Sequence, residues 1–210
     1  MYDVRPNFII GFHGCEESDI EKLINLPNKI LISENPYDWL GHGMYFWENN
    51  YTRAQLWADE KKQNGKIKKP SVLGAVIHLD YCCDFLDSKY IQLIQHYYTS
   101  FKDLSEILGD ELPKNKDVPS DANGDMLLRV LDCAVIEHMH QQIFENWKKD
   151  IEKDGSSSIR NFDTTRGVFT EGGPAFEGAG IFEKSHIQVC VRNPNSIKGF
   201  FIPREEIEFP

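Results

Sequence analysis

The chain has 210 residues, 40% of them hydrophobic, enough for one large domain with its own core. Its 23 Lys and Arg against 33 Asp and Glu give a net charge of −10; such a surface repels a polyanion at long range, which excludes phosphate tracking and leaves only a local grip on nucleic acid. Five cysteines without metal-like spacing, no apolar leader and no apolar run near the roughly 20 residues of a bilayer span predict a reducing, cytoplasmic setting and no membrane partner.

The stretch "NFIIGFHG", Asn7 to Gly14, predicts a strand with Phe8, Ile10 and Phe12 on its aromatic-aliphatic face and Ile9, Gly11 and His13 on the other. Glu16 to Asn25 predicts a short helix. "LGHGMYFWENNYTRAQLWA", Leu40 to Ala58, then places glycines at 41 and 43 before the aromatic pair Tyr45 and Phe46. Glycine has no side chain and adopts positive φ cheaply, so backbone there can approach another group closely. Tyr45 and Phe46 alternate across a strand, and Phe46 is assigned to the core. Asn50 caps a helix that runs to about Asn64, where Gly65 stops it.

Val72 to Leu79 predicts a strand. Asp87 to Leu108 and Asp125 to Lys149 have helical periodicity, with Leu127, Leu131, Ala134, Val135, His138 and Met139 in one stripe. The charged, Pro-containing segment Gly109 to Asn123 interrupts them. "SHIQVCVRN" alternates cleanly: Ile187, Val189 and Val191 face one way, His186, Gln188, Cys190 and Arg192 the other. Ile197 to Ile202, after the turn Asn193-Pro194-Asn195, is expected to pair with it as a hairpin. Short strands with inserted helices predict a single α+β domain.

"FHG" on an early strand, "GHGMYF" before a helix, and a late strand bearing a polar residue together resemble the catalytic domain of ADP-ribosyltransferases of the diphtheria-toxin and poly(ADP-ribose) polymerase type. The resemblance covers most of the chain outside a helical insert at about residues 80–160. It implies a split β-sheet core, two small packed sheets around an NAD cleft, and transfer of one ADP-ribose from NAD to a macromolecular acceptor with release of nicotinamide. By resemblance His13 hydrogen-bonds a ribose hydroxyl, the Gly14 backbone holds the carboxamide, and Tyr45 stacks on the nicotinamide ring. Gly41 and Gly43 let the chain pass beneath the dinucleotide. Breaking the glycosidic bond develops cationic character on the sugar, and stacking a cationic ring on tyrosine contributes about 0.5–2 kcal/mol.

Two departures qualify what the resemblance implies. Where the family carries a strand glutamate this chain has Gln188, an amide that can orient a ribose hydroxyl but offers neither negative charge nor a proton acceptor of carboxylate strength. Polymerisation is therefore not expected. A substitute carboxylate is sought in the glycine-interleaved loop "TEGGPAFEGAGIFEKSH", a mobile lid in this reading, where Glu171 is preferred over Glu177 and Glu183; Phe176, Ile181 and Phe182 argue that part of the loop packs. The second departure is Arg53, at the position of a carboxamide-binding serine. From the first turn of its helix it could reach the NAD phosphates or stay solvated, and Tyr51 or Trp57 could supply a second aromatic wall or simply pack in the core.

His138 and His140, two positions apart on a helix, do not share a face, and Cys82-Cys83 has no second pair, so no metal is expected. Cys190 shares a face with His186 without an activating partner. The acceptor is expected to be a protein or RNA. A toxin or conflict-effector role, with a neutralising partner protein, is the implication of the resemblance. The alternatives are an NAD glycohydrolase and a non-catalytic NAD or ADP-ribose binding module.

Overall fold

The structure, a computed structural model, describes residues 8–119 and 121–205; Asn7, expected to open the first strand, lies outside them. The strands are β1 (Phe8–Glu16), β2 (Met44–Glu48), β3 (Pro70–His78), β4 (Cys82–Asp84), β5 (Thr164–Phe169), β6 (His186–Val191) and β7 (Ile197–Phe201). The helices are α1 (Glu17–Asn25), α2 (Tyr51–Gln63), α3 (Ser88–Leu108) and α4 (Val130–Asp154). The fold is α+β, with one mixed seven-stranded sheet in the order β4-β5-β6-β2-β1-β3-β7. Only β4 and β5 run parallel among these neighbours. Among the described residues no helix is long and apolar enough to cross a membrane.

Local chemistry sets the element ends. The Asn50 side chain accepts from the Arg53 amide at 3.0 Å and starts α2, while Asp87 starts α3 by accepting from the Lys89 amide. Gly109 and Gly155 end α3 and α4 in the left-handed region, at φ 76° and 71°. α4 begins at Val130 rather than Asp125, which removes Leu127 from the helical stripe. The reason is a distant pairing: Lys116 and Leu128 exchange backbone hydrogen bonds of 2.9 Å, holding that stretch extended, and Asn115 Oδ1 accepts the Leu131 and Asp132 amides.

Side chains in register on neighbouring strands share a face. On one face Met44, Phe46, Val189 and Val191 of β2 and β6 meet Leu73, Ala75 and Ile77 of β3, with Ile20 and Leu23 of α1 closing the cluster. Each of these large buried side chains contributes about 1.5–3 kcal/mol by leaving water. The anticipated pair of sheets is thus one hydrogen-bonded sheet that folds over on this core. Polar knots tie the fold-over. Thr164 donates to the Leu79 carbonyl at 2.6 Å, Asp163 accepts from the Tyr81 amide and from Asn193, and Ser196 donates to Asp80. Arg166 on β5 adds a bridge by donating to Glu48 of β2 and Asp84 of β4.

The opposite face carries α2 over β1 and β3, through Ala54 against Phe12, Trp47 and Val72. On the same face α4 lies toward β5, where His140 Nε2 is 3.4 Å from Thr165 Oγ1, and α3 packs with α4 around Tyr90, Met139 and Phe162. Two further expectations need correcting here. β6 and β7 do not form a hairpin: both edges of β6 are taken by β5 and β2, and β7 crosses to the far edge beside β3. Residues 80–160 are not purely helical either, because β4 within them pairs with β5. The aromatic-aliphatic face of β1 is also its wetter one, with Phe8 and Ile10 exposed, whereas Ile9 and Gly11 meet the core.

Gly14 lies where α2 crosses β1, and a Cβ there would stand 2.2 Å from the Ala54 carbonyl oxygen. Backbone cannot step aside as a side chain does, so Gly14→Ala should destabilise by about 1–3 kcal/mol in denaturant unfolding. Gly199→Ala, with nothing within 4 Å, should leave the midpoint unchanged.

Candidate functional site

β1 pairs with β3 along nine residue pairs but with β2 at only Gly11↔Glu48 and Phe12↔Trp47. At the end of this short seam His13 Nδ1 lies 2.7 Å from the Tyr45 carbonyl oxygen, and its ring tilts against Phe46. Burial lowers the His13 pKa, the hydrogen bond to Tyr45 opposes that, and nearby Lys61 lowers it further. The imidazole is therefore neutral near pH 7, with Nδ1–H donating to the carbonyl and Nε2 left as an acceptor.

Tyr45 uses its hydroxyl locally, donating to the Gly41 carbonyl at 2.6 Å and accepting from the Leu40 amide at 2.8 Å. Its ring packs against Leu40, Phe169 and Cys190, and burial holds the phenol well above its usual pKa. The protein's own atoms fill the space beside both nearby glycines. A Cβ at Gly43 would meet Cys190 Sγ at 2.5 Å, and one at Gly41 would meet Glu137 Oε1 at 2.5 Å. Glu137 in turn accepts the His42 amide and the Arg192 guanidinium, fastening the 40–43 turn to α4 and β6.

On the face shared by Tyr45, Trp47 and Gln188, a polar layer lies under the loop before β6. Arg53 Nη2 donates to Glu171 Oε2 at 2.9 Å, and both side chains are 7% exposed. The same carboxylate oxygen stands 3.6 Å from His186 Nδ1, which donates to the Lys184 carbonyl at 2.6 Å. With Nδ1 protonated, neutral His186 presents Nε2 as an acceptor, and the Gln188 amide nitrogen at 3.1 Å donates to it. The Gln188 oxygen is thereby turned away from the histidine. Burial lowers the His186 pKa, opposed by its Lys184 hydrogen bond and by Glu171, while Arg53 and Arg129 add to the lowering.

Arg53, Glu171 and Gln188, all singled out from sequence, thus meet in one layer. His13 and Tyr45 meet at the seam through main chain, Tyr45 on the strand next to that of Gln188 and His13 one strand further on. The His13 ring points to the face opposite Tyr45 and Gln188, because Gly11 and His13 alternate with Phe12, the register partner of Trp47. Arg53 is neither solvated nor free of a partner, and Glu171 sits inside rather than on an open lid. Glu177 and Glu183 are exposed; so are Phe176 and Ile181, at 66% and 65%, while Phe182 is partly buried and bridged to Pro174, so the part of the loop that packs is its roots and not its tip. Trp47 and Arg129 escaped the sequence reading, and His186 entered it only as a same-face neighbour of Gln188 and Cys190. The period of two linking His186 to Gln188 and Tyr45 to Trp47 was the available signal.

Among the described residues no group of three or more His, Cys, Asp and Glu is placed to hold a metal ion. His138 lies 3.2 Å from Ser100 Oγ, and all five cysteines are buried without a disulfide.

Two measurements probe this layer. Arg53→Ala strands the buried Glu171 and should cost about 3–5 kcal/mol, whereas Arg53→Met with Glu171→Leu should recover most of it in the same unfolding assay. Acid provides the other. His13, His140 and His186 are depressed mainly by burial, His140 to about 3, so the unfolded chain binds more protons below its histidine pKa. The histidine contribution to stability should be level above about pH 7 and fall on acidification through the mid-6 range, by up to about 1.4 kcal/mol per pH unit for each histidine. His140→Gln should flatten that slope.

No family model matches the chain. It is similar to an uncharacterized protein of Methanocaldococcus jannaschii, at 26% identity over 204 residues that cover 89% of this chain and 83% of the other. No solved structure matches.

Proposed function

We propose that the protein is a mono-ADP-ribosyltransferase that moves ADP-ribose from NAD to a macromolecular acceptor, protein or RNA, and releases nicotinamide. The observation that supports this reading most is the strand order: β1, β2 and β6 are adjacent, and on them His13, Tyr45 and Gln188 remain half-buried while Phe46, Val189 and Cys190 beside them are fully buried. They come from distant parts of the chain to the centre of the sheet, beside the seam where β1 and β2 part, with the His13 ring on the face opposite Tyr45 and Gln188, so in this reading the dinucleotide threads the open end of the seam to reach both faces.

In this reading the glycosidic electrons leave with the nicotinamide nitrogen and neutralise its charge. The acceptor's nucleophile bonds to the ribose carbon and gives up its proton. His13 Nε2 accepts from a ribose hydroxyl, Gly14 contributes its backbone, and the Tyr45 ring lies against nicotinamide. Gln188 turns its oxygen toward the ribose, because His186 holds the other end of its amide. Glu171 receives the proton, and Arg53 positions it. The loop at 170–185, above Gln188, faces the acceptor. A toxin or effector role with a neutralising partner protein belongs to the same reading.

A second reading, an NAD or ADP-ribose binding module without transfer, is favoured by a specific observation: Gln188 carries no charge, and the nearby Glu171 is engaged by Arg53. Incubation with labelled NAD decides. Label on an acceptor supports transfer, free ADP-ribose with nicotinamide indicates a glycohydrolase, and intact NAD leaves the binding module. Under either enzymatic reading Tyr45→Ala should abolish turnover and Tyr45→Phe, which keeps the ring, should retain it. Gln188→Glu should raise NAD cleavage by about 10²-fold, within the range contributed by a general base; an unchanged rate would remove position 188 from the chemistry.

A further inference from the structure

We infer that the layer between β2, β6, α2 and the 170–185 loop is an oxyanion site, built to bind a phosphate or carboxylate group through Arg53, Trp47 and Arg129. The side-chain atoms buried without a hydrogen-bond partner among the described residues are Trp47 Nε1, Arg53 Nε and Nη1, and Arg129 Nε. Every one is an N–H donor. Arg53 is 6% exposed and Trp47 3%, and the Arg53 guanidinium carbon stands 5.7 Å from the centre of the Trp47 ring. The Arg129 guanidinium carbon stands 4.9 Å from the centre of the Phe169 ring, which itself lies 5.9 Å from that of His186.

Glu171 satisfies one Arg53 nitrogen, Nη2, and leaves the other two unmet. Arg129 has acceptors nearby, the Asp132 carboxylate at 3.8 Å from Nη1 and the Asp125 backbone carbonyl at 3.3 Å from Nη2, but neither reaches Nε. His186 has its Nδ1–H committed to Lys184 and its Nε2 committed to Gln188, so it supplies no acceptor to the donors. A buried donor left unmade loses its hydration without return, and a set of such donors with no matching acceptors fits a ligand group that only accepts. Phosphate and carboxylate are such groups, and guanidinium is the side chain most suited to them. Arg53 also stands in the first turn of the 13-residue α2, where the helix dipole favours negative charge.

The site does not depend on the transfer reading, since it requires an oxyanion and no dinucleotide. The test is calorimetric titration of the intact chain with inorganic pyrophosphate, ADP-ribose and nicotinic acid. Saturable binding is expected, and the arm that binds, phosphate or carboxylate, names the group. Trp47→Phe should weaken it about tenfold, the loss of one charge-assisted hydrogen bond, and the paired change Arg53→Met with Glu171→Leu should remove it. Absence of saturable heat from all three probes, or an unchanged Kd in Trp47→Phe and in the paired variant, overturns the inference. If the paired variant does not fold, Trp47→Phe decides alone. Pyrophosphate binding by a protein that leaves NAD intact upholds this site and sinks the transfer reading; NAD turnover without oxyanion binding does the reverse.

Discussion

Phe46 and Ile77 share the space that a side chain at residue 11 would occupy: a Cβ on Gly11 would stand 2.8 Å from Phe46 Cβ and 2.7 Å from Ile77 Cδ1. That contact lets β2 and β3 lean together across β1, so the sheet can fold over and enclose Met44, Val189 and Val191. Once the sheet is folded over, the ends of β3 and β5 come within hydrogen-bonding reach, as the Thr164 bond to Leu79 and the Asp163 bonds to Tyr81 and Asn193 record. The short path from β6 to β7 follows from the same curvature. On a flat sheet the few residues after Val191 would not carry the chain past β2, β1 and β3.

The local half of this architecture was legible in the amino acids. Asn50, Gly65, Gly109 and the alternation of His186 to Val191 mark element type and ends through backbone chemistry that acts within a few residues. What escaped was non-local. Nothing in the residues after Val191 says that β7 will prefer β3 to its neighbour in sequence, because pairing partners are chosen by which edges remain vacant. The helical stripe from Asp125 reads as continuous until Lys116 is seen to hold Leu128 extended. The site divides the same way: Arg53, Glu171 and Gln188 could be named from spacing, but that Arg53 turns inward to Glu171 depends on a loop more than a hundred positions away in sequence. Strand alternation placed His13 opposite Phe12, and the register shows that this separates its ring from Tyr45.

The polar layer and the apolar core lie on opposite faces of the same strands. Phe46 and Val189 point into the core while Trp47 and Gln188 point toward Arg53 and His186. The side chains of the polar layer therefore rest on a rigid floor, the arrangement that holds a constellation in place. The glycine-bearing loop above them is anchored by Glu171 to α2, by the Gly172 amide to Asp125 and by Lys184 to Glu60, while its tip stays in water. Anchored roots with a wet tip confine the ordering of the layer to the two ends of the loop.

The two-pair join between β1 and β2 has a dynamic consequence. Where a full ladder would put strand backbone against the Tyr45 carbonyl, an imidazole stands instead, and a side chain can swing on its own torsions without unzipping its neighbours. Thermal breathing of the domain should thus begin along this line, and the two wings would hinge there while each keeps its own hydrogen-bonded interior.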